Sequence, residues 1–325
     1  MKRFSLNQVA RSKIESLKNI SPKKVFLLFG LLIIVVLVIF QKFYPPAQLS
    51  TGPTLVHSED TNIRFAVIGD FGLGKQAELD VSELVKSWSP DFIVTVGDNN
   101  YAHLNMFSTD KNVGQYYHEY IGSYNGAYGE SYGDRFFPAM GNHDWDSTIC
   151  FLGSCRGSYL GFFSLPNNER YYDFVWGPVH FFVLDTDPRE PDGTSSDSVQ
   201  GLWFKNKITD STSSWNLVVA HHPPYSSGER GSEEYMRWPY KEWGADVLMS
   251  GHNHIYERSL IDGFTYIENG LGGKSLHDFV DLIPGSQVRY NEDYGAMLVE
   301  AMDSSINFKF ISRTGEEIDE FTLQH

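Results

Sequence analysis

The sequence predicts an α/β domain with two sheets, carried behind a single membrane-spanning helix. Three features lead there. Strand-like and helix-like stretches alternate from residue 63 onward, five apolar strands stop abruptly in polar motifs, and one unbroken apolar run stands near the N-terminus. Hydrophobic residues make up 41% of the 325 and charged residues 21%, enough apolar side chain to bury a core rather than stay disordered.

The apolar run, Val25 to Phe40, is 16 residues long and carries no charge. At 1.5 Å per residue it covers about 24 Å, slightly less than the ~30 Å hydrocarbon core, and Gln41, Lys42 and Tyr44 can supply the interfacial end. Residues 1–50 hold 8 Lys/Arg against Glu15 alone, a balance of +7. The remainder therefore holds 26 − 8 = 18 Lys/Arg against 41 − 1 = 40 Asp/Glu, or −22. Basic residues before the run place the N-terminus in the cytoplasm and everything after it outside. The expected organisation is a basic cytoplasmic tail over 1–24, a signal anchor over 25–41, a Pro/Gly linker over 42–60 and one folded domain over 61–325. A cleaved signal peptide stays open as the other reading. The run exceeds the usual 7–15 residues of such peptides, and no A-x-A site follows it. Under either reading the body is exported. So acidic a body excludes nucleic-acid binding by counterion release. Cys150 and Cys155, five positions apart, are expected to form a disulfide outside the cytoplasm, and two cysteines are too few for a finger-type zinc site.

Along the chain, Ile63–Ile68 reads as a buried strand running into Gly69-Asp70-Phe71-Gly72, and Ala77–Trp88 has helical spacing. Asp91–Val96 runs into Gly97-Asp98-Asn99-Asn100-Tyr101. Phe136–Met140 leads into Gly141-Asn142-His143-Asp144, Leu217–Ala220 into His221-His222-Pro223-Pro224, and Asp246–Ser250 into Gly251-His252-Asn253-His254. Tyr116, Tyr117, Tyr120, Tyr124 and Tyr128 read as packing residues, with lining of the cleft mouth as the other reading, and Asp185 and Asp187, after the strand Phe181–Leu184, as turn residues ahead of a role behind the ligands. Asp197–Thr209 reads as an amphipathic helix with Val199, Leu202, Trp203 and Ile208 on its sheet-facing side. His103, His118, His180 and His277 fall outside the motifs and are expected to make core or surface hydrogen bonds. Three alternating runs, Ala296–Ala301, Ile306–Ile311 and Ile318–Leu323, are expected to close a second sheet.

In open α/β sheets, ligands bind outside the carboxyl ends of the strands. The residues gathered there are Asp, Asn, Tyr and His without Cys, an oxygen and nitrogen donor set suited to iron, manganese or zinc. They exceed what one ion needs. Two ions about 3.5–4 Å apart and sharing a carboxylate account for them. Each motif alone is a passable turn signal, Asp70 satisfying backbone donors for instance. The pair His252 and His254 is stronger, because residues two apart on an extended stretch point the same way. All five motifs together, each at a strand end, carry the reading.

These ordered motifs resemble the purple acid phosphatases within the calcineurin-like metallophosphoesterases, whose pattern is GDxG, GDxxY, GNH(D/E), VxxH and GHxH. Tyr256-Glu257-Arg258 extends the last motif, and Asn269-Gly270-Leu271-Gly272-Gly273 resembles the family's downstream NGxGG turn. The general superfamily begins with D-x-H. Here that position is Gly72, and Tyr101 supplies the replacing donor, as in the purple acid phosphatases. The resemblance implies the metallophosphoesterase fold, a four-layer α/β/β/α sandwich. It also implies a phosphoric monoester hydrolase with a dinuclear Fe(III)–M(II) centre and a metal-bound hydroxide nucleophile. The ferric site would use Asp70, Asp98, Tyr101 and His254. The divalent site, holding iron, zinc or manganese, would use Asp98, Asn142, His221 and His252. His143 would face the substrate phosphate and protonate the leaving group, and His222 is a candidate substrate contact. A phosphodiesterase on the same metals, and a non-catalytic phosphate-binding surface protein, are the rival readings.

Overall fold

Apolar β-branched and aromatic residues in runs of four to eight favour strands, and here they make two sheets. The computed structural model describes Ser21 and residues 55–57, 61–101, 108–151 and 154–325. The expected anchor at 25–41, the tail before it apart from Ser21, and most of the 42–60 linker lie outside the described residues, as does His103. Among the described residues no helix is long and apolar enough to cross a membrane.

The first sheet carries the Asp70 and Asp98 motifs. Its parallel strands are β2 (Asn62–Ile68), β3 (Phe92–Thr95) and β4 (Phe136–Pro138). Strand β1 (Leu55–His57) belongs to the other sheet, on the edge of β7 (Tyr172–Trp176). That sheet continues through β8 (Val179–Val183), β9 (Trp215–Val219), β10 (Val247–Ser250) and β12 (Phe264–Asn269), then β11 (Tyr256–Ile261) and β13 (Ser286–Tyr290). Strands β8, β9, β10 and β12 are parallel, so their carboxyl ends share one edge.

The C-terminal runs do form strands, β14 (Gly295–Met302), β15 (Ser305–Ser312) and β16 (Glu317–Gln324). They close no separate sheet. Strand β14 pairs antiparallel with β2, with Val299 opposite Phe65, and β15 and β16 follow outward in the order β16-β15-β14-β2-β3-β4. Alternation in sequence identifies a strand but not its neighbour. Because β3 occupies one edge of β2, the other edge remained to be covered.

The two sheets face each other across an aromatic core. Phe65 and Phe92 on the first sheet meet Phe181 edge-on at 5.1 and 5.5 Å between ring centroids, and Phe137 stacks on Phe174 at 3.9 Å. Such pairs contribute about 0.5–1.5 kcal/mol each beyond the area they bury. Alternate residues Phe182, Val218 and Leu248 point away from this core and pack with helix residues. Helix α1 (Gln76–Ser87) buries Val81 and Val85 and packs against β14. The short helices α2 (Gln115–Tyr117), α3 (Asn142–Trp145) and α4 (Ser158–Phe162) belong to the connections. Helix α5 (Val199–Thr209) and the turn α6 (Tyr240–Trp243) cover the outer face of the second sheet. The helix expected at 197–209 is present, but with a different buried stripe. Phe204, Ile208, Gln200 and Gly201 are buried, whereas Val199 and Leu202 are exposed. Gln200 turns inward because its side-chain amide brackets the Asp185 backbone, accepting from its N–H and donating to its carbonyl, each at 2.8 Å.

Strands β5 (Ile149–Phe151) and β6 (Ser154–Arg156) form a hairpin closed by the Cys150–Cys155 disulfide, as the cysteine spacing suggested. Tyr116, Tyr117 and Tyr120 are buried packing residues, and Tyr128 is exposed. The described residues from 55 to 325 belong to one compact unit.

Candidate metal centre

Every motif residue sits just past the carboxyl end of a parallel strand, and the two sheets bring those ends together. Backbone bonds lock the crossing loops. Asp70 N–H donates to the Gly97 carbonyl at 3.1 Å, and Gly251 N–H to that of His221 at 3.0 Å. Asn269 donates from its side chain to the Val67 carbonyl at 2.9 Å, joining the sheets beneath the site. Asp70, Asp98 and His252 all hold positive φ, at 55°, 52° and 76°. Non-glycine residues pay conformational energy there, and they persist only when surroundings over-determine them. Gly97 has φ of 93°, and a Cβ at that position would stand 2.5 Å from Nδ1 of His221. A Cβ on Gly141 would stand 2.2 Å from Oδ1 of Asp98. Both glycines are therefore required by the donor groups of a neighbouring motif.

The side chains gather in two adjoining groups. In one, Tyr101 Oη lies 3.0 Å from Asp70 Oδ1 and 3.2 Å from His254 Nε2, with His254 Nε2 3.4 Å from Asp70 Oδ1. In the other, Asn142 Oδ1 lies 3.2 Å from His221 Nε2 and 3.0 Å from His252 Nδ1, and Asp98 Oδ1 lies 3.4 Å from His221 Nε2. Asp70, Asp98 and His221 each offer an atom within 4.8 Å of the others, so the groups touch through the two carboxylates. All these residues but Asn142 are buried. Oxygen and nitrogen atoms converge without a sulfur, and a carboxylate stands between the halves. Such a donor set fits two hard or borderline ions.

The electrostatics describe a metal-free cluster balancing its own charge. Burial opposes ionisation of Asp98, but His221 and His143 beside it hold the carboxyl well below the usual range. Burial works against protonated His221 as well. Asp98 outweighs it and raises His221 to about 10. His252 is pushed down by burial and by His221. Burial, then Asp70 and Asp98, push the Tyr101 phenol well above its ordinary value. Positive ions would replace these borrowed protons, since ligands bind metals in their deprotonated forms.

His143 is part-buried at the edge of this cluster. Its backbone N–H donates to Asp98 Oδ1 at 2.8 Å, its Nδ1 lies 3.1 Å from Asp146 Oδ2, and its Nε2 lies 4.0 Å from Asp98 Oδ2. His222 is buried rather than presented at the surface, with its ring against that of His252 at 4.5 Å.

Several contributing residues carried no motif. Asp185 and Asp187, for which a turn was the favoured reading, belong with Thr186 and Arg189 to a stretch that supports the second half of the site. Asp185 is fully buried and accepts the Trp145 indole N–H with both oxygens. Thr186 Oγ1 meets the backbone of His221 and His222, and Asp187 grips the Arg189 guanidinium at 2.7 and 2.8 Å. Arg189 in turn donates to the Asn142 carbonyl at 2.7 Å and pairs with Asp146 at 3.4 Å. Around the first half, Ser275 Oγ lies 2.6 Å from His254 Nδ1, the His277 ring stacks on His254 at 4.0 Å, and Lys274 Nζ stands 4.7 Å above the Tyr101 ring. His118 and His180 make the ordinary bonds expected of them, to the Gly114 carbonyl and to Asp173.

The family model described as calcineurin-like phosphoesterase matches residues 63–256, which span all five motifs. The chain belongs to this family. Its relatives include purple acid phosphatases. Purple acid phosphatase 15 of Arabidopsis thaliana is 30% identical over 231 residues, covering 60% of this chain and 41% of that protein. Purple acid phosphatase 17 of the same plant is 22% identical over 317 residues, 85% of this chain and 86% of the relative. The chain thus spans about two fifths of the first relative's length and most of the second's. Among solved structures, GAP50, the anchor in the inner membrane complex of Plasmodium, aligns with a TM-score of 0.60 and 20% identity. It covers 82% of this chain and 89% of its own. That likeness shows the fold alone.

Proposed function

We propose that the chain is a metal-dependent phosphoric monoester hydrolase, an acid phosphatase holding Fe(III) and a divalent iron, zinc or manganese ion. One observation carries this reading: the two adjoining donor groups that meet at Asp70 and Asp98, with His143 at their edge. Asp70, Tyr101 and His254 would hold the ferric ion, Asn142, His221 and His252 the divalent one, and Asp98 would bridge them. Bound there, the ions supply charge neutralisation on a phosphoryl group and a low pKa for water.

The protein's own part is positioning. Asp70 and Tyr101, with the bridging Asp98, give the first site three anionic donors that suit a trivalent ion, while neutral Asn142 and two imidazoles leave the second less charged. His143, anchored through its backbone to Asp98 and through Nδ1 to Asp146, presents Nε2 toward the cluster and donates a proton to the leaving oxygen. Arg189 keeps the Asn142 carbonyl and Asp146 in register. Burial of the cluster excludes most water, which strengthens each of these interactions.

The test is turnover by the metal-loaded body, residues 46–325, on an aryl phosphate monoester and the matching diester, from acidic to neutral pH. Dominant monoester turnover with an acidic optimum supports the proposal. Dominant diester turnover makes the chain a phosphodiesterase, and absence of turnover with both ions bound makes it a phosphate-binding protein. Display outside a membrane is proposed from the charge and hydropathy of residues 1–41 alone. Protease protection of the body in sealed vesicles checks it.

A further inference from the structure

We infer that Thr186 sets His222 as an Nε2–H donor facing the metal centre, where it binds a phosphoryl oxygen instead of serving as a further imidazole ligand. The inference rests on the phosphoester reading above and names a substrate contact and its positioning residue.

The deciding count is at the Thr186 hydroxyl. Its oxygen accepts the backbone N–H of His221 at 3.3 Å and that of His222 at 3.0 Å, and it lies 2.9 Å from His222 Nδ1. A hydroxyl has two acceptor lone pairs and one proton. The two amides take both lone pairs, so the remaining bond runs from the Thr186 hydroxyl to His222 Nδ1. Were Nδ1 protonated instead, the oxygen would face three N–H donors and its own proton would be stranded in a buried site, which costs about as much as a lost hydrogen bond. Both residues are buried, at 0% and 5% exposure, so bulk water offers Thr186 no alternative partner. Nδ1 of His222 is therefore an acceptor, and the imidazole proton sits on Nε2.

The ring's place beside the cluster gives the tautomer its consequence. The His222 ring stands 4.5 Å from the His252 ring and 5.0 Å from that of His221. Each of the three offers a ring nitrogen within 4.8 Å of the other two. By proximity alone His222 would pass for a third imidazole ligand. A metal needs the bare lone pair, however, and a nitrogen carrying its proton has none to give. His221 differs in this respect: its Nδ1 is 2.8 Å from the Val96 carbonyl, which fixes a proton on Nδ1, so the proton that Asp98 favours on Nε2 in the metal-free protein is the one an ion would displace there. Adjacent histidines of one motif thus have Nδ1 fixed in opposite roles, a donor to a carbonyl in His221 and an acceptor from a hydroxyl in His222. The first is prepared as a ligand. The second is prepared to donate to an anionic oxygen.

The experiment uses the body, residues 46–325, loaded with zinc in both positions, with inorganic phosphate as the probe. Calorimetry gives phosphate affinity and elemental analysis gives zinc per chain. His222→Ala is expected to keep the wild-type zinc content while weakening phosphate at least about tenfold, as for a lost hydrogen bond to a charged group. His222→Gln, which retains an N–H donor, is expected to recover part of that loss. Loss of zinc in either variant overturns the inference, and so does unchanged phosphate affinity. If His222→Ala fails to fold, nitrogen NMR of the wild-type imidazoles decides alone. A protonated Nε2 on His222 supports the tautomer, and a zinc-bound Nε2 overturns it. None of these readouts needs ester turnover, so a wild-type protein that binds phosphate through His222 yet hydrolyses nothing would fail only the phosphatase reading.

Discussion

His143 Nδ1 lies 3.1 Å from Asp146 Oδ2, three residues along the same turn. Arg189 holds that carboxylate from the far side and also donates to the Asn142 carbonyl, so the orientation of His143 depends on a residue from another element. Asp146→Asn is expected to keep both metals and lower kcat about tenfold, a part of the 10²–10⁴-fold typical of a positioned acid. The loss should be larger for an alkyl phosphate than for an aryl phosphate, because the poorer leaving group needs the proton more. A loss equal across leaving groups would mean that Asp146 only braces the fold.

His143→Ala tests the acid itself. Metal content should stay at the wild-type level while kcat falls about 10²–10⁴-fold. In contrast, Asp98→Ala should release both ions, since its carboxylate stands between the two donor groups. Elemental analysis of the two variants side by side separates the roles, and wild-type metal content in Asp98→Ala would refute the bridge.

The strands and the ligand motifs were legible because each is local. An apolar run followed by Gly-Asp, Gly-Asn-His or Gly-His-Asn-His states both the strand and what its end presents. What could not be read was partnership across the chain. Asp185-Thr186-Asp187-Pro188-Arg189 has the composition of a turn, and only folding brings Arg189 to Asn142, 47 positions earlier. The α5 stripe failed for a related reason. Gln200 was drawn inward by the Asp185 backbone, which rotated Val199 and Leu202 out to solvent. For β14 to β16, alternation revealed the strands, while the open edge of β2 decided where they went.

Tyr101 is the donor that stands in for the absent histidine of the D-x-H pattern, and its environment predicts a proton signal. Burial and the two nearby carboxylates keep the phenol protonated far beyond neutral pH in the metal-free protein. An ion entering the Asp70 group must expel that proton, so uptake there should release it and grow tighter as pH rises. Tyr101→Phe should lose one of the two ions and the accompanying proton release, measured by metal analysis and a pH-stat titration. Retention of both ions would remove Tyr101 from the ligand set.

Gly97→Ala is a small change with a large expected effect. The added methyl would enter a left-handed backbone position and stand 2.5 Å from His221 Nδ1, whose bond to the Val96 carbonyl sets the ring. The ring cannot yield without leaving Asn142 and Asp98. The variant should fold less stably and bind the divalent ion at least about tenfold more weakly. Unchanged affinity would show that the loop, and not the ring, gives way.

Glu78 supplies a pH dependence that belongs to folding and not to catalysis. Its Oε2 accepts the Leu73 and Gly74 amides at 2.9 and 2.7 Å, fastening the chain just past the Asp70 motif, while no group among the described residues reaches Oε1. Burial raises this carboxyl from 4.5 to about 8, with the Gly74, Leu73 and Lys75 amides opposing the shift. Between those values the folded chain holds a proton that the unfolded chain has released. Stability must then fall as pH rises from 4.5 toward 8 and level off above it, at a slope of up to about 1.4 kcal/mol per pH unit. Asp144, raised to about 7 by burial and by Asp98, adds a slope of the same sign, so the absolute curve does not isolate Glu78. The difference between wild type and Glu78→Gln does. Glutamine keeps an oxygen for both amides and never ionises, so the variant should match the wild type near pH 5 and exceed it by a few kcal/mol above pH 8. Denaturant unfolding of both proteins at the two pH values, without metal, checks this. Parallel curves would mean that Glu78 ionises freely in the folded protein.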